Sequence, residues 1–587
     1  MLPSRFTRIA AVSTAVLLSL ALIATTTPTN AAQSPPRKIF TGWIPYYSMK
    51  TALPSAVANG DLIREVMPFW YTLKSETKIT DLYTPANPSV PISVPLTTMR
   101  DSGFSIIPTI TDGTNKLVLA KLLADPVTRT KVVKTITTLV VTNNFDGIDL
   151  DFEGFAFSDG TASWPTTRPN WVAFVREMST SLHKLDKILS ITTPVLFDPT
   201  SGKKGYYVFD WASIAPLIDR LRIMTYDYST SSPGPIGPLT WAELSIKYAV
   251  SVIPASKIYV GVAGYGRDWV TKVVGTCPAS LANVIAPGAK AATFVMRDAA
   301  NLASSYGATP TYHVAFGEVT FSYQKVYTGT TSGGLATSCT ASRTAWYQDS
   351  RGYGARAQLV AKYRLGGITA WTLGMEDPTA VQAVRQVAQS IAPDLVISTL
   401  ASDRTGALYG NSVKITGVLQ LPDKTPVANQ SVKLEIRGSG ESGWREIFQV
   451  VTGVDGSFNI PIVLSKTSSL RISSDATWER LASASAEISV SISRMLAVTP
   501  PTSSAVGANF IISGVVQPRE AGPVLTLEKY ILGKWKLLGN PMPLEVGGKF
   551  TFAIVENEPG IARYRVKVSG DEKLLDGVSP IFAVLIY

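Results

Sequence analysis

Histidine and cysteine are nearly absent from this chain, at two each in 587 residues: His183, His313, Cys277 and Cys339. Two isolated histidines make no ligand cluster and two thiols make no thiolate metal site, so the reading expects no metal centre and no cofactor. Long apolar runs are also missing beyond the first thirty residues, and the closing run Ile581–Tyr587 reads as a strand, so no later segment is expected to span a bilayer. There is no basic run and no basic patch interleaved with aromatics, which argues against nucleic acid as a partner. The net charge is nevertheless +11. From Asp394 onward 19 Lys and Arg face 18 Asp and Glu, so the surplus belongs to the earlier part of the chain. Such a surface suits an anionic polymer such as a cell wall, and equally a solvated face with no partner.

The first residues carry Arg5 and Arg8, an apolar run from Ile9 to Ala24 broken by Ser13, Thr14 and Ser19, and the small-residue stretch Thr29-Asn30-Ala31-Ala32. This is the pattern of a secretory signal peptide over residues 1–32, removed after Ala31 or Ala32, and it predicts a secreted, extracellular or wall-associated protein. In an oxidising destination an even pair of cysteines is expected as one disulfide, Cys277 with Cys339, two buried thiols being the alternative. Closing a loop of that length stabilises a fold by about 4 kcal/mol.

What the chain does have is an unusual acidic strand, Phe145-Asp146-Gly147-Ile148-Asp149-Leu150-Asp151-Phe152-Glu153-Gly154. In an extended strand Gly147, Asp149, Asp151 and Glu153 face one way and Ile148, Leu150 and Phe152 the other. Within an α/β chain the apolar face packs under helices and the carboxylates turn inward, toward the mouth of a barrel. Three carboxylates at this spacing repel one another, so at least one holds a proton near neutral pH, as a general acid must. A Mg²⁺ or Ca²⁺ carboxylate site is the competing reading of the same residues.

The pattern Asp-x-x-Asp-x-Asp-x-Glu from Asp146 to Glu153 resembles the signature of glycoside hydrolase family 18, the chitinases and related β-N-acetylglucosaminidases. The resemblance extends over Lys38 to Ala392: Met224-Thr225-Tyr226-Asp227 is similar to the family's sixth-strand motif, Tyr265-Gly266-Arg267 to its seventh-strand exit, and Gly366 to Trp371 to its eighth-strand end. It implies that Glu153 is general acid and then base, that Asp151 orients the substrate's acetamido group with Asp149 behind it, and that Tyr226 and Asp227 bind that group. Trp371 would be the floor under the sugar, and Met224, Tyr265, Arg267 and Tyr46 further substrate contacts. Tyr226 and Asp227 can serve together only if their strand bulges or ends there. The implied substrate is a polysaccharide containing N-acetylglucosamine. The third strand, Ile107 to Gly113, lacks the Ser-x-Gly-Gly of many chitinases, and with Trp43 to Tyr47, Pro68 to Tyr71 and Gly234 to Pro238 it resembles the bacterial branch of spore-germination and cell-wall hydrolases. A non-catalytic lectin on the same fold and a surface adhesion protein are the alternatives; the retained Glu153, Asp151 and Tyr226 favour the enzyme.

The pattern of short β-rich runs and helical stretches predicts an α/β fold, a TIM (β/α)8 barrel over residues 37–392. Its strands are read at Lys38–Tyr47, Arg64–Leu73, Phe104–Ile110, the acidic strand, Ile188–Thr193, Leu221–Tyr228, Lys257–Ala263 and Gly366–Thr372, with one helix over Lys121–Asn143. Roughly 100 residues separate strands seven and eight, more than a loop and helix need. A small α+β insertion is therefore expected at about residues 270–348, with a helix near Thr293–Tyr306. Trp171, Phe174, Val175, Met178, Leu182 and Leu185 recur at helical spacing, and His183 off that stripe is expected to be solvated. Beyond the barrel, strand-like segments separated by turns predict two all-β immunoglobulin-like sandwich domains, 393–493 and 494–587. They are read as spacers or weak adhesion modules, a route to cell-wall association, with Trp444, Trp478 and Trp535 either core or contact residues.

Overall fold

The computed structural model describes residues 34–587, and the expected signal peptide lies outside them. Eight parallel strands form the closed part of the first sheet: β1 (Phe40–Pro45), β2 (Ile63–Ser75), β3 (Thr109–Asp112), β4 (Gly147–Asp151), β5 (Ile188–Pro194), β6 (Arg220–Met224), β7 (Ile258–Ala263) and β8 (Gly367–Trp371). Each pairs with its neighbour in sequence, and β1 also pairs with β8, so the sheet closes on itself as a TIM barrel. β4 and β7 are buried at every position, as strands covered on both faces must be. Ile148, Leu150 and Phe152 are fully buried, and the Phe152 ring packs against Trp171 and Phe174 of the helix Trp164–His183. Gly147 is there because the strands touch: a Cβ would stand 2.2 Å from the carbonyl oxygen of Ile188 on β5.

Local chemistry moves several expected boundaries. The helix read over Lys121–Asn143 is two, Val118–Ala124 and Pro126–Thr142, because Asp125 caps the second through the Val127 N–H and Pro126 opens it. The third strand is broken into Ser105–Ile106 and β3, with Pro108, which has no N–H to give, between them. The sixth strand stops at Met224, four residues before its expected end. Leu185 lies past the end of its helix and is exposed. His183 is not simply solvated: Nε2 meets Asp219 Oδ2 at 2.8 Å and Nδ1 meets Ser179 Oγ at 3.1 Å.

The chain leaves β7 directly into a five-stranded antiparallel sheet, ordered Ala292–Val295, Tyr265–Gly275, Ala336–Tyr347, Glu318–Thr330 and Thr311–His313. The insertion thus begins at Tyr265, a little earlier than read. Its helix is short, Ala299–Ser305, because Thr293 to Val295 instead pair with Tyr265 to Arg267. Cys277 and Cys339 form a disulfide within it.

Beyond the barrel helix Pro378–Ser390 come all-β sheets. Strands Ile397–Ser402, Ser412–Gln420 and Ser457–Val463 face a second sheet ordered Gly406–Leu408, Ile488–Ser493, Ser468–Ser474, Ser431–Gly438 and Arg445–Val451. Residues from Met495 onward repeat that order strand for strand, three in one sheet and the equivalent set in the other. Each pair of sheets has its own apolar core, one around Leu434 and Ile472 and one around Leu527 and Val566. Trp444 and Trp535 are half-buried beneath the guanidinium groups of Arg471 and Arg565, each 4.4 Å from the ring centre.

Candidate active site

At the carboxyl ends of the barrel strands the three acids of the β4 segment form a ladder from the core outward. Asp149 is completely buried and fully bonded: Thr109 Oγ1 donates at 2.8 Å, Ser190 Oγ at 2.6 Å, and Thr192 Oγ1 reaches both carboxylate oxygens at 3.0 Å. The guanidinium Nε of Arg222, on β6, lies 3.8 Å from it. Asp151 is buried with Oδ1 lacking any protein partner. Burial first, then the charges of Glu153 and Asp149, pushes its proton affinity well above that of an ordinary carboxylate.

β4 ends at Asp151, and Glu153 opens a 3-10 turn, Glu153–Phe155, instead of continuing the strand. It still lines the same cavity as Asp151. Burial, reinforced by Asp227, raises its pKa to about 7. A carboxyl group half protonated near neutrality, beside a second one that resists ionising, can donate a proton and take it back.

The end of β6 resolves how Tyr226 and Asp227 share the site. The strand is over by Met224, and Asp227 adopts a left-handed backbone, φ 60°, which turns it back toward Tyr226. Asp227 accepts hydrogen bonds from the Tyr265 hydroxyl and from Arg267 at 2.5 Å, so the insertion's first strand braces it. The Tyr226 ring stands edge-on to Tyr265 with centres 6.4 Å apart. Burial holds the Tyr226 hydroxyl firmly in its protonated form, a donor rather than an anion.

Glu153, Met224, Tyr226 and Asp227 stand between two cavities and line both. The smaller, about 180 Å³, contains Asp151 and is walled by Trp43, Trp371, Tyr265 and Thr192. Trp371 is wedged edge-on between Trp43 and Phe69, at 5.6 and 5.0 Å, which fixes its ring. The larger, about 470 Å³, is walled by Phe157, Tyr206 and Trp241. Of the residues singled out in the sequence, Tyr46 lines neither cavity; its ring lies against Tyr47. Arg267 acts through Asp227, and Asp149 lies below the cavity floor. Phe157, Tyr206 and Trp241 escaped the sequence reading because they come from two loops and the first turn of the helix Leu239–Val252, with no shared spacing. Their only signal was an aromatic within a few dozen residues of a strand end.

The model of the Glycosyl hydrolases family 18 matches residues 74–376, just over half of the chain. The chain belongs to glycosyl hydrolase family 18. Among its relatives, a Bacillus subtilis protein that carries the name sporulation-specific glycosylase YdhD is 27% identical over 259 residues, 44% of this chain and 53% of its own. The cortical fragment-lytic enzyme of Bacillus anthracis is 26% identical over 314 residues, 52% of this chain and 62% of its own. The chitinase of Chromobacterium violaceum, a solved structure, is 22% identical with a TM-score of 0.48, covering 60% of this chain and 98% of that one. The chain spans about half the length of the first of these curated relatives.

Proposed function

We propose that this family 18 protein is a secreted glycoside hydrolase that cleaves β-linked N-acetylglucosamine polymers by a substrate-assisted, retaining mechanism. The observation that carries the reading is Glu153: a carboxyl group with a pKa near 7 stands at the partition between two cavities, where a bond spanning them would pass.

In this mechanism the protonated Glu153 gives its proton to the glycosidic oxygen, and the leaving sugar departs into the larger cavity. The acetamido carbonyl oxygen of the sugar held in the smaller cavity attacks the anomeric carbon as that bond breaks, forming a cyclic oxazolinium ion, so the enzyme needs no nucleophile of its own. Asp151, with an oxygen free of protein partners, accepts the acetamido N–H there and so orients the carbonyl oxygen for its attack. Tyr226 donates its hydroxyl to the acetamido oxygen, and Asp227 anchors the same sugar. Glu153, now a carboxylate, takes a proton from water as that water attacks the anomeric carbon from the side the leaving group vacated, and the bond from that carbon to the acetamido oxygen breaks, which restores the neutral acetamido group. The configuration is retained and Glu153 is ready again.

Peptidoglycan or its fragments is the favoured polymer, with chitin second, since the relatives include cortical fragment-lytic enzymes and chitinases. The signal-like first 32 residues and the Cys277–Cys339 bond support export. The test is mass spectrometry of products from purified peptidoglycan and from chitin oligomers, with the unaltered protein and Glu153→Gln side by side. Cleavage of one polymer that is lost in the variant is expected. Equal product from the variant would remove Glu153 as the acid, and binding of either polymer without cleavage would point to a lectin.

A further inference from the structure

Another cavity, of about 450 Å³, opens at the other end of the barrel. Its barrel wall comes from Lys38, Asp61, Arg64, Ser256 and Gly366, which stand just before or at the start of β1, β2, β7 and β8, so it faces away from the catalytic carboxylates. Its other wall is the loop Thr477, Trp478 and Arg480 of the first pair of all-β sheets. We propose that this cavity binds a phosphate group, either as the free ion or as part of a phosphodiester polymer.

The cavity carries positive charge that its own carboxylates do not balance. Four cations line the space, Arg37, Lys38, Arg64 and Arg480, against one carboxylate, Asp61. Asp61 is already taken by Arg385, with bonds of 2.7 and 3.0 Å. Glu65, 4.0 Å from Arg64, is held far closer by Arg222 and Arg220 at 2.6 and 3.1 Å. Glu479, on the loop itself, pairs with Arg364 at 2.8 Å. Among the described residues no carboxylate comes within 4 Å of Arg37, Lys38 or Arg480. Residues 1–60 contain no acidic side chain.

The donors are also presented for use. The Arg37 guanidinium is flattened onto the Trp478 ring, 3.7 Å from its centre, and donates to the Trp478 carbonyl. Arg480 Nε is buried with no hydrogen-bond partner. Burial and the neighbouring Arg64 lower the pKa of Arg37 by more than the charge of Glu479 raises it, so the counter-charge at hand is incomplete. Planar guanidinium forks match phosphate oxygens two at a time, and a phosphate brings the charge this cluster lacks. Pro35, Pro36 and Trp478 leave an apolar side for the carbon chain of a polymer. Since the site joins barrel to sheets and lies away from the acids, its occupant should stiffen the junction without entering the reaction.

The test uses the full mature chain. Calorimetric titration and thermal melts are run with inorganic phosphate, with poly(glycerol phosphate), and with sodium chloride at matched ionic strength. Phosphate is expected to raise the Tm where chloride does not, and Lys38→Gln with Arg480→Gln is expected to weaken phosphate binding at least tenfold while leaving oligosaccharide hydrolysis unchanged. Tighter binding per phosphate to the polymer than to the free ion assigns the polymer as occupant; equal binding assigns free phosphate. Lys38→Glu, at an exposed position, puts a carboxylate among the guanidinium groups and should abolish phosphate binding while raising the Tm in its absence. Phosphate binding that survives both variants, or a chloride effect as large as that of phosphate, overturns the proposal.

Discussion

As the proposed general acid, Glu153 would act only while it holds a proton, and burial sets the pH at which it lets go. With its pKa near 7, above the 4.5 of an exposed glutamate, the donor form is lost as pH rises through 7. The rate of hydrolysis is therefore expected to fall on the alkaline side with a midpoint close to pH 7, measured on a soluble oligosaccharide. Glu153→Gln should lower kcat by about 10²- to 10⁴-fold across that range. The same raised pKa has an opposite sign for stability. A carboxyl group whose folded pKa exceeds its unfolded one disfavours the fold once pH passes the unfolded value, so Glu153→Gln should raise the Tm at pH 8 and lose that advantage by pH 4. Arg222 is the counterpart in the barrel interior. It is wholly buried, 2.6 Å from Glu65 and 3.8 Å from Asp149, and Ser190 Oγ bridges it to Asp149. Although burial opposes ionisation, the guanidinium groups of Arg222 and Arg220 hold Glu65 down to about 2, so its stabilisation is present above pH 4.5 and drains away as pH falls toward 2. Replacing Arg222 with Met leaves two buried acids short of a partner and should cost about 3–5 kcal/mol in urea unfolding at pH 7. Arg222→Lys should recover part of that loss.

At the scale of the element, the insertion separates what the disulfide stabilises from what the site needs. Strands Tyr265–Gly275 and Ala336–Tyr347 start together at the barrel, where Gly266 pairs with Tyr347, and run out to Gly275 opposite Cys339. Tyr265 and Arg267, which brace Asp227, are at the near end, while the cystine closes the far one. Replacing both cysteines with serine is therefore expected to lower stability by at most about 4 kcal/mol, as read by thermal unfolding, with kcat changed less than twofold. How legible these elements were follows from the physics that makes them. The barrel strands were readable because burial on both faces writes continuous apolar runs, and β4 stood out because inward carboxylates interrupt one such run at alternate positions. The turns that finish the site were not. That β6 stops at Met224 and Asp227 turns left-handed depends on partners, Tyr265 and Arg267, some forty residues away. The aromatic walls Phe157, Tyr206 and Trp241 meet only through the closure of the barrel, which no local spacing records. Tyr46 was singled out from a motif and lies outside the cavities, because the chain bends away after Pro45.

The whole molecule couples its parts unequally. The barrel meets the first pair of sheets through the Arg364–Glu479 pair, the Arg37 stack on Trp478 and the packing of Trp478, half-buried, against the barrel core. The two pairs of sheets are joined by something firmer. Leu574, from the second pair, is 3% exposed and belongs to the apolar core of the first. Around it the Thr467 N–H donates to the Lys573 carbonyl, the Leu575 N–H to Ile492, and Arg494 holds Asp571 at 2.7 Å. The first pair of sheets thus borrows a core residue from its successor. Leu574→Ala should destabilise it by about 2–5 kcal/mol, the range for emptying a buried leucine site. That loss should appear in hydrogen exchange of strands Ser431–Gly438 and Ser468–Ser474, while the barrel strands keep their protection. A chain ending at residue 493 should behave like Leu574→Ala, and one ending at Ala392 should retain activity on soluble oligosaccharides. If exchange in the barrel accelerates together with the sheets, the junction is stronger than its contacts imply, and the molecule unfolds as one cooperative unit.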